Sequence, residues 1–130
     1  MKKIAIITKN RILAESLATA IEVTPNFKSD FFLFLNYQQV LLDAEIFEID
    51  VALIDLVGCR VKDKEVLLSF WTKMHGKLPK CHLLLLVSQD DYSCREISSQ
   101  AKRAGIIEDF VFYDASLKYL LAKLESISLL

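Results

Sequence analysis

Five short runs of aliphatic and aromatic residues punctuate the chain, at Lys3 to Thr8, Ser29 to Leu35, Val51 to Leu56, His82 to Ser88 and Asp109 to Tyr113. They are continuous rather than alternating, most plainly in LLLLV at 83–87. A strand with one wet face alternates apolar and polar side chains, whereas a strand covered on both faces has no polar side to show. These runs therefore predict a parallel sheet with helices on both faces.

The intervening segments carry the helical period. In NRILAESLATAIE the positions Ile12, Leu13, Leu17, Ala20 and Ile21 share a stripe, and Asn10 stands where an N-cap is expected. Tyr37 to Phe47 places Val40, Leu41, Ala44 and Phe47 on one face, and Asp63 to His75 does so with Leu67, Phe70, Trp71 and Met74. Between 91 and 105, Asp91 reads as a cap, Cys94, Ile97, Ala101 and Ala104 as a stripe, and Gly105 as the C′ glycine. A last helix follows Ser116, through Leu117, Leu120, Leu121, Leu124 and Ile127. The sum is an α/β, (βα)5 doubly wound parallel sheet in three layers, with the flavodoxin-like strand order 2-1-3-4-5. At 130 residues, without Pro-rich, Gly-rich or long polar stretches, residues 1–130 are read as one domain.

In such sheets the chemistry lies beyond the carboxyl ends of the central strands. Here those ends are Thr8 to Asn10, Asp55, Val87 to Asp91 and Tyr113. The loop after the first strand, TKNR, has no glycine to admit a phosphate, and no G-x-S-x-G elbow is present, so nucleotide-binding and hydrolase readings lack their motifs. Cys59, Cys81 and Cys94 form no C-x-x-C pair, and His75 and His82 have no metal-ligand spacing around them. Sixteen Lys and Arg against 17 Asp and Glu give a net charge of −1, which favours neither nucleic acid nor anionic lipid. No membrane span or signal segment is read from the sequence, and a reducing cytoplasm is the expected compartment.

The strand ends resemble the receiver domains of bacterial two-component response regulators, in particular those of the LuxR/NarL type. KKIAIITKNRILAESLATAIE is similar to the family's first strand and helix, DVALIDL to the third strand ending on its phosphoacceptor aspartate, and AGIIEDFVFYDAS to the segment usually reading AGADGYLLKDAS. The order and spacing of these pieces together cover essentially the whole chain. The resemblance makes Asp55 the phosphoacceptor candidate and Phe110 the switch aromatic of the fifth strand. It also implies a histidine kinase as donor, Mg²⁺ held by an acidic pair after the first strand, a Thr or Ser ending the fourth strand, and a Lys ending the fifth.

The sequence departs from that pattern where the chemistry is. The acidic pair falls on Thr8 and Lys9, the lysine on Tyr113, the proline of the following loop on Cys59 and its glycine on Asp63. The fourth-strand hydroxyl is either Ser88 or, with a shifted alignment, replaced by Val87. No catalytic residue, metal ligand or cofactor is therefore assigned. The expectation is a degenerate receiver, or pseudo-receiver, in which the Lys9 ammonium pairs with the Asp55 carboxylate. The alternative is a working phosphoacceptor that takes its Mg²⁺ with Asp90 or Asp91. Protein partners are implied, with self-association through the fourth helix, fifth strand and fifth helix or through the first and fifth helices. DNA is reached only through a separate domain, regulating transcription.

Overall fold

The computed structural model describes residues 2–25, 27, 29–56 and 64–130. The strands are β1 (Lys2–Ile7), β2 (Ser29–Phe34), β3 (Val51–Asp55), β4 (His82–Val87) and β5 (Asp109–Phe112), and the helices are α1 (Arg11–Val23), α2 (Tyr37–Phe47), α3 (Lys64–Lys77), α4 (Tyr92–Arg103) and α5 (Leu117–Ser128). All the strand pairs are parallel, in the order β2-β1-β3-β4-β5. This is the architecture the apolar runs predict. Cys59 and Asp63 lie outside the described residues.

Strand alternation sorts the core into two layers. Ala5, Ile7, Ala52, Ile54, Leu83, Leu85 and Val87 pack with Val40 of α2, Trp71 of α3 and Ile97 of α4. On the other face Ile4, Ile6, Val51, Leu53, Leu84, Leu86 and Val111 pack with Leu17 of α1 and Leu124 of α5. Both faces of β4 are thus sealed, and every residue of LLLLV is 2% exposed or less. Burying each such side chain is worth about 1.5–3 kcal/mol, which explains the unbroken apolar run.

Each strand ends one residue before its apolar run does, because the rim residue donates its N–H without continuing the ladder. Thr8 N–H reaches Phe34 O at 3.1 Å, Leu56 N–H reaches Leu86 O at 2.9 Å, and Tyr113 N–H reaches Val87 O at 2.8 Å. The two expected caps form, Asn10 accepting from Leu13 N–H at 3.1 Å and Asp91 from Cys94 N–H at 3.0 Å, and Ser116 adds a third by accepting from Tyr119 N–H at 3.1 Å. Gly105 closes α4 at φ +75°, a conformation that penalises a side chain. Four of the described stripe positions do not enter the core. Ile12 is 78% exposed, Phe47 40% and Leu117 41%, while Ala104 is the exposed C-cap of α4.

One electrostatic tie joins α4, β5 and α5. The Asp109 carboxylate accepts from Lys102 Nζ at 2.9 Å, from Lys123 Nζ and from its neighbour's N–H, Phe110, at 2.8 Å. Burial alone would raise this carboxyl, but the bonds to Lys123 and Lys102 outweigh it and hold it below its ordinary value. In turn the bond to Asp109 raises the Lys123 ammonium. A depressed carboxyl stabilises the fold fully above its unfolded pKa, about 3.9, and that contribution disappears as pH falls through the lower folded value. The contribution of Lys123 is complete below about 10.4 and is lost as pH rises through its raised value. Because Lys102 is half exposed, each pair is discounted to about 1 kcal/mol or less. Urea unfolding of the parent and Asp109→Asn is expected to differ near neutrality and to converge between about pH 4 and 2.

Candidate functional site

Two carboxyl ends of the sheet meet at one hydrogen bond. Asp55 closes β3 and Thr8 follows β1, and strand alternation puts both on the α1 and α5 side, in step with Val51 and Leu53 and with Ile4 and Ile6. The Thr8 hydroxyl donates to Asp55 Oδ2 at 2.6 Å. Thr8 Oγ1 in turn accepts the Asn10 backbone N–H at 3.0 Å. Thr8 is 4% exposed, so a short, charge-assisted bond forms where water competes weakly.

Asn10 extends the chain of bonds to the far side of the rim. Its Oδ1 caps α1 while its Nδ2 donates to the Tyr113 hydroxyl at 3.3 Å. Tyr113, immediately after β5, is 43% exposed and supplies a hydroxyl. The structure therefore brings together Asp55, Thr8 and Tyr113 and adds Asn10, which the sequence presents only as a helix cap.

The other candidates fall elsewhere. Lys9 is solvent-exposed, and among the described residues no ion pair joins it to Asp55. The group that reaches the carboxylate is the hydroxyl one residue earlier, Thr8, which continues the Ile4–Ile6 face that Asp55 shares. Val87 is fully buried in the layer beneath α2, α3 and α4, and Ser88, the residue after β4, is half-buried. Phe110 is partly buried against that same layer and meets Phe112 edge-on at 6.1 Å. Arg95 of α4 lies over the Phe112 ring at 5.9 Å and donates to Gln89 O at 3.1 Å, tying the β4–α4 loop to β5.

These residues do not fit a divalent metal. Such an ion takes oxygen donors bearing negative charge, and here the first loop offers a hydroxyl already donating to Asp55 and an exposed ammonium. Asp91 is bound to the start of α4 as its cap, and Asp90 is exposed. Among the described residues no group of three or more His, Cys, Asp or Glu converges on a point. Nor do the described thiols offer a nucleophile: Cys81 and Cys94 are buried and outside any disulfide, and burial, aided by the Asp50 carboxylate, pushes Cys81 up to about 12.

The Thr8 bond has a measurable cost of removal. Thr8→Val keeps the shape but strips Asp55 of this donor and Asn10 N–H of its acceptor. It is expected to lower stability by about 1–3 kcal/mol in urea unfolding, whereas Lys9→Ala changes it by less than about 0.5 kcal/mol.

The fold is that of a doubly wound, flavodoxin-like α/β domain with strand order 2-1-3-4-5. Solved structures of that type superpose over nearly the whole chain. A response regulator from Thermotoga maritima aligns with a TM-score of 0.77 at 17% identity, covering 98% of each chain. The receiver domain of a modulated diguanylate cyclase from Desulfovibrio desulfuricans G20 gives 0.72 at 18%, covering 98% of this chain and 94% of that one. A DNA-binding response regulator of the LuxR family from Staphylococcus aureus gives 0.72 at 11%, covering 98% and 99%. No family model matches the chain, and no curated protein sequence matches it. Likeness at these identities establishes the fold alone.

Proposed function

We propose that this domain is a signalling module of the response-regulator type that works without metal-dependent phosphorylation of Asp55. Its outputs are contacts with protein partners, including a fused or partner DNA-binding domain through which it regulates transcription, and its compartment is the cytoplasm. The observation that carries this reading is the Thr8 hydroxyl bonded to Asp55 Oδ2 at 2.6 Å, at the position where the resembled family has a metal-binding carboxylate. Phosphoryl transfer to a carboxylate builds charge on the transferring oxygens, which metal and a cation offset. Here the rim presents two hydroxyls, Thr8 and Tyr113, in place of an acid and a lysine. An equilibrium shifts only when the input binds its two states differently, and without metal the phosphate input has no grip on this one. No described helix is long and apolar enough to cross a membrane.

The test is incubation with Mg²⁺ and either acetyl phosphate or beryllofluoride. No mass gain on Asp55 and no change in oligomeric state are expected. A mass gain that Asp55→Ala abolishes would establish instead a working phosphoacceptor served by a histidine kinase.

A further inference from the structure

The outer edge of the sheet carries an unused ladder. β2 is the terminal strand, and among the described residues only β1 pairs with it. Because Thr8 N–H donates to Phe34 O, the peptide groups of Phe34 and, two residues earlier, Phe32 turn toward β1. Those of Phe31 and Leu33 turn outward. Natural edges are blunted by lysine, proline or a bulge, yet SDFFLF has none of these and only one charge, Asp30.

Apolar side chains border this edge on both faces. Leu33 and Leu35 are 40% and 41% exposed, and Leu33 shares the α1 side with Phe31. On the other side Phe47 of α2, 40% exposed, stacks on Phe32 with centroids 4.9 Å apart. An unpaired ladder flanked by exposed hydrophobic groups is a template for another strand.

We propose that β2 pairs antiparallel with β2 of a second copy of this chain, about a twofold axis at Phe32, joining two five-stranded sheets into one. This assignment is independent of how Asp55 is used, and it lies away from both helical faces considered above. The strand is complementary to itself in three respects. In this register Phe31 of one copy faces Leu33 of the other, and the two exchange both of their outward N–H and C=O bonds. Asp30 falls opposite Phe34, so no like charges meet. Phe32 falls opposite Phe32, which sets the two Phe32–Phe47 stacks against each other. A foreign extended peptide would satisfy only the first of these.

Light scattering of the full chain over a concentration series, paired with amide exchange, tests the pairing. A dimer is expected, with the Phe31 and Leu33 amides slowing as concentration rises and the Phe32 amide, already bonded to β1, unchanged. Leu33→Glu, at an exposed position, should leave the circular dichroism and melting temperature intact and abolish the dimer. Leu33→Pro, which removes only the outward N–H, should do the same. Leu117→Lys, exposed on α5, should remain dimeric. The proposal is overturned if the parent is monomeric at every concentration, including one that binds an added strand peptide only as a monomer. It is equally overturned if Leu33→Glu remains dimeric, if Leu117→Lys dissociates the dimer, or if the Phe31 and Leu33 amides exchange alike in dilute and concentrated samples.

Discussion

Replacing Thr8 and Lys9 together by aspartate is expected to make the protein less stable than its parent in EDTA and to make Mg²⁺ restore it. Thr8 is 4% exposed and in direct contact with Asp55, so an acid there meets a like charge in a poorly hydrated place. The cost expected is about 1–3 kcal/mol. A divalent ion offsets that repulsion, and at a hundredfold excess over its dissociation constant it returns about 2.7 kcal/mol. Melting temperatures with and without Mg²⁺ read both effects. The parent should show no such rise; if Mg²⁺ stabilises it as much as it does the variant, the rim binds metal without the acidic pair and the proposed function fails.

The second large effect lies in the core. Trp71, the only tryptophan, is 0% exposed in the layer beneath α2, α3 and α4. Trp71→Ala is expected to cost about 3–5 kcal/mol, the range for deleting a large buried aromatic. Yet its indole Nε1 finds no acceptor among the described residues, and a buried donor left without one costs about 1–3 kcal/mol. Trp71→Phe removes that donor along with some volume, so it should cost less than about half as much as the alanine. Urea unfolding followed by circular dichroism measures both variants. A phenylalanine variant as unstable as the alanine would show that the indole N–H is satisfied.

Much of this molecule was legible because burial on both faces leaves a plain mark. Five continuous apolar runs define five parallel strands, and two capping residues, Asn10 and Asp91, and one C′ glycine mark helix ends where the structure has them. What periodicity does not carry is reach. Ile12 and Leu117 keep the helical spacing but occupy the first turns of α1 and α5, where they stay exposed. At the site, the choice between Thr8 and Lys9 was recoverable, since two-residue alternation from Ile4 and Ile6 selects Thr8 for the face that Asp55 shares. The bond between Asn10 and Tyr113 spans 103 residues of sequence and depends on side-chain geometry at the rim, and no local pattern announces it.

A hydroxyl has one proton, and Thr8 gives its proton to Asp55. Its lone pair then serves Asn10, whose own side chain holds the first turn of α1. The charge on Asp55 is thereby wired to the opening of α1 by two hydrogen bonds in series. Anything that neutralised or masked that carboxylate would register first as a loosened helix start, on the opposite side of the sheet from α4. In this molecule the mechanical address of the aspartate is α1.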